Sequence, residues 1–179
     1  GSLVGSEMCI RDRANSCCSH PLSSDTESEL IDASGVKRAA IRKLHQELGI
    51  SPDELSLDDF HFVTKMMYSA RMNADWIERE IDHILVIQAD VDIKINQNEV
   101  SEIKWVSKQE LHQILAGDID IGGEIAPWFR CIAERVMTDE WWDSIGNLDR
   151  IVELRDDLIH DMGDVSDMLS TATGAGLNT

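Results

Sequence analysis

The segment 35–50 constrains the fold of this chain more than any other stretch. Its apolar residues recur at the three- and four-residue spacing of a helix that buries one face: Val36, Ala39, Ala40, Leu44 and Leu48. Ser34 or Asp32 can cap its first turn, and Gly49 stands where a helix ends. The pattern predicts a helix over about 36–48 with one face against a core.

The rest of the sequence is typical of short strands followed by short helices. β-Branched residues and apolar alternation predict three strands, over about 60–70, 81–87 and 102–106. Helical spacing, a cap at Ser107 and a proline in a first turn predict three helices, over about 108–115, 125–137 and 147–160. Strands grouped before helices indicate the α+β class.

Both ends of the chain fall outside this pattern. Residues 1–13 show no periodicity and begin like a cloning scar, so we expect a non-native leader that takes no part in the fold. Residues 163–179 are mostly small and polar, and we expect them to be disordered. The predicted folded unit is therefore 14–162.

The charge of the chain excludes several classes of partner. It has 34 Asp and Glu against 16 Lys and Arg, a formal charge of −18, whereas nucleic acids and anionic membranes attract clustered cations. No run approaches the roughly 18 apolar residues that a transmembrane helix needs. The four cysteines are too few and too unevenly spaced for a disulfide framework, which favours a reducing compartment. We expect neither a nucleic acid nor a membrane as partner.

The segment Asn15-Ser-Cys-Cys-Ser-His-Pro21 places a thiol close to an imidazole. Cys18 and His20 are two residues apart, so they lie on the same side of an extended chain. That arrangement suits a thiol that exchanges protons, or a thiol and an imidazole near one metal ion. A buried reduced cysteine beside an ordinary loop histidine would produce the same sequence.

Two carboxylates precede the most apolar strand. Strand alternation puts Glu78 and Glu80 on one face and Arg79 on the other. Carboxylates this close repel each other, so one of them should have a raised pKa or bind a cation, and either outcome serves acid–base chemistry. A solvated strand edge is the alternative interpretation.

The helix predicted over 36–48 contains a local basic patch in a very acidic chain. It has four cations: Lys37, Arg38, Arg42 and Lys43. Such a cluster can hold a phosphate group, and Glu47 could bind a Mg²⁺ ion that bridges to it. A solvent-exposed charged face would show the same run of residues.

Two aromatic residues could also take part in chemistry. Trp128 begins a helix and could offer its ring face to a cation, although core packing is the commoner role of a tryptophan. Tyr68 is the single tyrosine of the chain and lies towards the end of a strand, where it could donate a proton or be buried with a hydrogen bond.

Taken together, these stretches resemble the type I isopentenyl-diphosphate isomerases of the Nudix superfamily. The resemblance covers about 15–160 and rests on NSCCSHP, GVKRAAIRKLHQELGI, Tyr68-Ser69-Ala70, DWIEREIDHIL, NQNEV, APWFR and Trp141-Trp142-Asp143. It implies a Nudix-type α/β/α sandwich around a mixed sheet, with the N-terminal strands missing and extra C-terminal helices. The implied reaction moves a double bond in a five-carbon diphosphate through a tertiary carbocation.

The Nudix box itself is degraded in this sequence. The hydrolytic pattern is matched at Arg42, Leu44, Glu47, Gly49 and Ile50. Non-acidic residues stand at three positions where it has glutamate: Ser34, Lys43 and Gln46. Hydrolysis needs that carboxylate cluster to hold Mg²⁺ and activate water, so we expect the fold without the hydrolytic activity.

The resemblance also assigns roles to single residues. It makes Cys18 the catalytic thiol on one side of the substrate and Glu80 the carboxyl group on the other. Tyr68 stands beside Glu80 in the proton relay, and the ring of Trp128 faces the cation. It implies that Glu47 binds a Mg²⁺ ion held against the substrate diphosphate.

A second divalent metal, Mg²⁺, Mn²⁺ or Zn²⁺, is implied on His20, Glu78 and Glu80. The family's site takes three histidines and two glutamates, and the other two histidines come from a region before the cysteine motif. That region is absent here, and no other histidine of the chain fits the motif. We therefore expect an incomplete isomerase that is inactive by itself.

The expected substrate is a small isoprenoid diphosphate, and we expect a monomer in the cytoplasm. A plastid or a peroxisome stays open, because a targeting segment would lie in the missing region. Two other functions are kept as alternatives: a Nudix hydrolase of a diphosphate-containing small molecule, and a Nudix binding module without catalytic activity.

Overall fold

The structure, a computed structural model, describes residues 2–7, 12–71 and 75–166. Seven strands lie in this part of the chain: β1 Ser2–Glu7, β2 Asp12–Ala14, β3 Phe60–Arg71, β4 Ile77–Ile87, β5 Val100–Val106, β6 Glu124–Ile125 and β7 Ile159–Asp164. The same part contains five α-helices: α1 Ser34–Leu48, α2 Lys108–Ala116, α3 Pro127–Cys131, α4 Asp139–Ser144 and α5 Leu148–Glu153. A π-helical turn, Ile132–Val136, continues α3.

The strands form two sheets, and each sheet is mixed. One has the order β5-β1-β2-β6, with β2 and β6 parallel. The other has the order β4-β3-β7, with β3 and β4 antiparallel and β3 and β7 parallel. The α+β class and the mixed character of the sheet are confirmed, although the strands are divided between two sheets.

Two apolar clusters hold these layers together. The first joins the inner face of β3 and β4 to α2, α3 and α4, through residues such as Met66, Ile84, Leu111, Phe129 and Trp141. The second packs the apolar face of α1 against the loop that follows it and the starts of β3 and β5. Helix α1 is thus attached by its own core, next to the β3–β4 hairpin.

Helix α1 begins two residues before the predicted start and ends at Leu48, as predicted. Gly49 follows with a φ of 66°, the left-handed conformation that closes a helix. The capping prediction is wrong. The N-cap is Ala33, no side chain caps the first turn, and the carboxylate of Asp32 binds Lys37 instead, with Oδ2 2.9 Å from Nζ.

The other predicted elements are found with small changes of boundary. The strand predicted from 81 begins at Ile77, which brings both glutamates of the acidic pair into β4. Ser107 caps α2 in the predicted capping box: its hydroxyl accepts from the amide of Glu110, and the carboxylate of Glu110 accepts from the amide of Ser107. The helix predicted from 125 begins at Pro127.

Two predictions about the ends of the chain are wrong. Residues 1–13 are expected to take no part in the fold, but Ser2–Glu7 form a strand that pairs with both β5 and β2 and so covers the open edge of β5. The helix predicted over 147–160 ends at Glu153, and the chain then pairs with β3 as β7. The origin of the leader stays a prediction. Of the tail predicted from 163, residues 163–166 are ordered, and the remainder lies outside the described residues, as does Cys9.

Within the described ranges, the helices are too short or too polar to cross a lipid bilayer.

Gly35 provides a test of how the preceding loop packs on α1. A Cβ atom at this position would lie 2.8 Å from the carbonyl oxygen of Glu29 and 2.7 Å from the carbonyl carbon of Glu27. Alanine normally stabilises a helix relative to glycine. Here we expect Gly35→Ala to lower the free energy of unfolding by about 1–3 kcal/mol, because two backbone groups would have to move.

Urea unfolding followed by circular dichroism measures this change. The matched control is Gln46→Ala, at an exposed position of the same helix, which should change the free energy of unfolding by less than about 0.5 kcal/mol. A Gly35→Ala protein as stable as the original would mean that the loop does not pack on α1 in this way.

Candidate active site

Three carboxylates form a row on the inner face of β4. The β3–β4 register pairs Glu78 with Ala70, Glu80 with Tyr68, and Asp82 with Met66. The residues that alternate with these acids point outwards, so that Ile77 and Ile81 are 59 % and 49 % exposed while the acids are half-buried. The usual alternation is therefore inverted here, and acidic side chains face the core.

Glu78 and Asp82, the two ends of this row, have raised pKa values. Burial, followed by repulsion from Glu80, raises the pKa of Glu78 above its usual range. Burial and the charge of Glu80 raise the pKa of Asp82 to about 6, against the opposing effect of His20. A partly buried row of this kind either retains protons or attracts a cation, as the acidic pair in the sequence predicted.

Tyr68 and Cys18 adjoin the same row. Tyr68 is 3 % exposed, and burial raises the pKa of its hydroxyl above the usual range, with further contributions from Asp82, Glu78, Glu80 and Cys18. The hydroxyl therefore stays protonated and can act as a donor. Cys18 contributes to this rise, which indicates that its thiol lies within electrostatic range of the tyrosine.

His20 completes the group from the same loop as Cys18. Its Nε2 lies 3.4 Å from Oε1 of Glu80, and its side chain is 74 % exposed. An imidazole and two carboxylates form a donor set that suits a divalent cation, and the raised pKa of Glu78 reflects a place where positive charge would be favourable. Over residues 2–7, 12–71 and 75–166, however, no three His, Cys, Asp or Glu side chains are arranged to bind a metal ion together.

Trp128 is connected to the thiol segment through one asparagine. The indole Nε1 donates to Oδ1 of Asn15 over 3.3 Å, and Nδ2 of Asn15 donates to the carbonyl of Cys17 over 2.7 Å. The half-buried ring thus lies where helix α3 meets the cysteine loop. The sequence did not single out Asn15 as the residue that joins the two.

The four cations of α1 are all bound to carboxylates. Three of the carboxylates come from the segment before the helix: Lys37 pairs with Asp32, Arg38 with Glu29, and Arg42 with Glu27. Lys43 pairs with Glu47 along the helix, with Nζ 2.6 Å from Oε1. The basic patch seen in the sequence is therefore locally neutralised, because an acidic loop lies against it.

Glu47 lies deeper than the sequence suggested. It is 4 % exposed, so a metal ion on its carboxylate would also adjoin Lys43. A cavity of about 350 Å³ lies elsewhere, between β5, α2 and α3, and includes none of the predicted site residues.

Sequence reasoning missed two residues at this site. Asp82 continues the two-residue period of Glu78 and Glu80, so the period itself could have found it. Glu27 could not be found in this way, since nothing in its local sequence shows that it binds Arg42 fifteen positions later.

Comparison with known proteins places this geometry in a family. The model of the NUDIX domain matches residues 31–129, which include α1, the β3–β4 hairpin and Trp128. The chain belongs to the Nudix family. The family in general uses divalent metal ions.

Several curated proteins similar to the chain share one name. Isopentenyl-diphosphate Delta-isomerase 1 of Mesocricetus auratus is 39 % identical over 139 residues, covering 78 % of this chain and 61 % of that protein. The isopentenyl-diphosphate isomerases of Aspergillus fumigatus and Dictyostelium discoideum are 44 % and 43 % identical, over 75 % and 78 % of this chain and 51 % and 59 % of their own lengths. The chain thus spans between half and about three fifths of these relatives.

The ion pair of Glu27 predicts a pH dependence of stability. Hydrogen bonds from Arg42 and from the amide of Leu22 lower the pKa of Glu27 to about 2. Since the folded-state pKa is lowered, the stabilisation is complete above the ordinary value of about 4.5 and is lost as the pH falls towards 2. We expect Glu27→Gln to cost about 1–2 kcal/mol at pH 7, and most of that difference to disappear by pH 3.

Urea unfolding of both proteins between pH 7 and pH 3 measures the difference. Glu29→Gln is the control, because its ion pair is longer, at 3.3 Å, with both side chains at least 40 % exposed, and should contribute less. A Glu27→Gln difference that stays constant down to pH 3 would contradict the assignment.

Proposed function

We propose that the protein isomerises isopentenyl diphosphate to dimethylallyl diphosphate. The observation that carries this proposal is the strand register that sets Tyr68 opposite Glu80, with Cys18 close enough to affect the pKa of the tyrosine. The curated relatives that match most of this chain are named isopentenyl-diphosphate isomerases. Because the chain spans only part of their length, the activity is proposed for the whole protein.

The reaction requires one proton donor and one proton acceptor. A proton adds to the terminal methylene carbon of the alkene, the π electrons form that C–H bond, and a tertiary cation remains at the neighbouring carbon. A proton then leaves the next carbon, and its C–H electrons form the new double bond. We assign the two proton transfers to Cys18 and to Glu80 with Tyr68, on opposite sides of the substrate.

The raised pKa of Tyr68 supports its place in the relay. Its hydroxyl stays protonated near neutral pH, so it can donate a hydrogen bond to a reacting carboxyl group and return a proton to it. The carboxylates on either side of Glu80 supply negative charge, which stabilises a nearby carbocation.

Trp128 is proposed to face the cation. An indole ring attracts positive charge and contains no nucleophilic oxygen that could capture it. Its hydrogen bond to Asn15 fixes the ring relative to the cysteine loop, which supports this assignment.

Divalent metals are proposed at two places. A Mg²⁺ ion with the substrate diphosphate would be held by Glu47, and a second ion (Mg²⁺, Mn²⁺ or Zn²⁺) by His20, Glu78 and Glu80. The chemistry such ions supply is charge neutralisation of the diphosphate and orientation of the carboxyl group.

The diphosphate itself is proposed to bind along α1 through Lys37, Arg38 and Lys43. Arg42, predicted with them from the sequence, is held by two hydrogen bonds to Glu27. Lys37 is only 7 % exposed in its side chain and is bound to Asp32, so a phosphate would have to displace that carboxylate. The monomeric state and the cytoplasmic location stay predictions.

The activity is tested by proton NMR of isopentenyl diphosphate with Mg²⁺ and Mn²⁺. The chain is assayed as it stands, where we expect no turnover. It is also assayed with residues 1–13 replaced by the segment that precedes the matched region in the Mesocricetus auratus relative, where we expect dimethylallyl diphosphate to form. Cys18→Ala and Glu80→Gln should each lower kcat of the extended protein by more than about 10³-fold, since each removes a group that transfers a proton.

A folded extended protein without isomerase activity would contradict the proposal. Release of phosphate from nucleoside diphosphates would favour the hydrolase. Binding of a diphosphate without any turnover would favour the inactive binding module. Full turnover by the chain as it stands would refute its predicted incompleteness.

The metal assignment is tested separately by Mn²⁺ binding to the extended protein, followed by electron paramagnetic resonance. We expect Glu78→Gln to weaken Mn²⁺ binding by roughly 10–100-fold, because one charged oxygen donor is lost from the proposed site. Asp75→Asn, at an exposed position before β4, is the control and should leave the affinity unchanged. Equal affinities of Glu78→Gln and the original protein would remove Glu78 from the site.

A further inference from the structure

Glu27 and Arg42 form the best-aligned ion pair on α1. Arg42 Nε donates to Oε1 of Glu27 over 2.8 Å, and Nη2 donates to Oε2 over 2.9 Å. The carboxylate side chain is 9 % exposed and the guanidinium side chain 27 % exposed. Two parallel charge-assisted bonds in a mostly buried setting fix both position and direction, which a single exposed ion pair does not.

The same two side chains bind the backbone of the loop that contains the catalytic thiol. Nη2 of Arg42 donates to the carbonyl oxygen of His20 over 3.0 Å, and the amide of Leu22 donates to Oε2 of Glu27 over 2.8 Å. These two backbone groups lie on either side of Pro21, whose ring already restricts φ. The Glu27–Arg42 pair therefore binds the backbone at His20 and Leu22, at the end of the Cys18–His20 segment.

Glu27 is itself fixed to the helix by a close backbone approach. The carbonyl groups of Glu27 and Glu29 lie where a Cβ of Gly35 would be, and the amide of Gly35 donates to the Glu29 carbonyl over 2.9 Å. The amide of Glu27 also donates to the hydroxyl of Ser24 over 3.3 Å. The backbone of Glu27 is therefore packed against α1, and the position of its carboxylate does not depend on the ion pair alone.

The position of the His20 side chain depends on this backbone arrangement more than on side-chain packing. Its imidazole is 74 % exposed and its contact with Glu80 is 3.4 Å long. Few neighbours surround the ring, so its place opposite β4 is set mainly by the backbone from which it projects. That backbone is the part held by Arg42 and Glu27.

We propose that Glu27 and Arg42 are a positioning pair, which holds the Cys18–His20 segment against the acidic row of β4. This inference rests on the proposed function for its catalytic consequence. It assigns Arg42 to the loop instead of to the substrate diphosphate, and it gives Glu27 a role that no local motif shows.

The expected consequence is a loss of catalysis that exceeds the loss of stability. A displacement of about 1 Å between a thiol and its substrate can cost about 10²-fold in rate, and residues that orient a metal ligand typically change metal affinity by 10–100-fold. Glu27→Gln keeps the shape of the side chain and removes its charge. Arg42→Lys keeps the charge and removes the planar fork that binds two groups at once.

The test compares these two variants with a matched control, Asp139→Asn. Asp139 forms an ion pair with Lys108, with Oδ1 2.8 Å from Nζ, at the start of α4 and away from the site. Amide hydrogen exchange of the chain as it stands reports on the peptide 15–26. Mn²⁺ affinity, kcat and KM are measured on the extended protein at a temperature at which every variant is folded.

We expect exchange in the peptide 15–26 to become at least about tenfold faster in Glu27→Gln and Arg42→Lys, with Asp139→Asn unchanged. We expect Mn²⁺ binding to weaken about tenfold and kcat to fall about 10–100-fold, with KM altered by less than about threefold. A lower kcat with a nearly unchanged KM indicates that the thiol and the histidine are displaced. Lost diphosphate binding would raise KM instead.

Three results would overturn the inference: unchanged exchange in both variants, equally fast exchange in the control, or unchanged kcat and Mn²⁺ affinity despite faster exchange. A raised KM with an unchanged kcat would indicate that Arg42 binds the diphosphate, and this result would also overturn the inference. If the extended protein itself shows no isomerase activity, the proposed function fails. The exchange data on the chain then still decide whether the pair holds the loop.

Discussion

The pairing register of β3 and β4 is the constraint on which the rest of the site depends. It sets Tyr68 opposite Glu80 and turns three carboxylates inwards. A slip of one residue would put Arg79 and Ile81 on that face, because side chains alternate along a strand. Inward-facing Met66 and Ile84 in the larger apolar cluster oppose such a slip, so the core that stabilises the hairpin also selects the acids of the site.

The inverted strand has a cost in stability that its chemistry explains. Carboxylates are turned towards the core, where burial and mutual repulsion raise the pKa values of Glu78 and Asp82, while Ile77 and Ile81 remain exposed. The usual preference of side chains would bury the isoleucines and expose the carboxylates. Such a conflict between local pattern and global fold is expected where a cation or a reacting substrate supplies the missing interactions.

Charge in this chain acts locally rather than through its total. The net charge of −18 disfavours nucleic acid as a partner, yet it says nothing about which acids meet which bases. The acidic segment before α1 lies against the cations of that helix and pairs with three of them. Of these pairs, only Glu27 with Arg42 continues to the backbone beside His20, which separates a positioning role from plain neutralisation.

The sequence by itself determined the elements whose signals are local. These are the C-terminal end of α1 before Gly49, the capped start of α2, the strands of the hairpin, and the place of Glu78 and Glu80 on one face of β4. It failed where a segment takes its structure from a distant partner. Ser2–Glu7 and Ile159–Asp164 have no strong strand pattern and become strands because β5 and β3 offer edges for hydrogen bonding. Only the tertiary structure decided three features of the site: the approach of the cysteine loop to β4, the inward orientation of Asp82, and the ion pair between Glu27 and Arg42. Periodicity in a sequence tells which side of an element a residue occupies, but not what lies on that side.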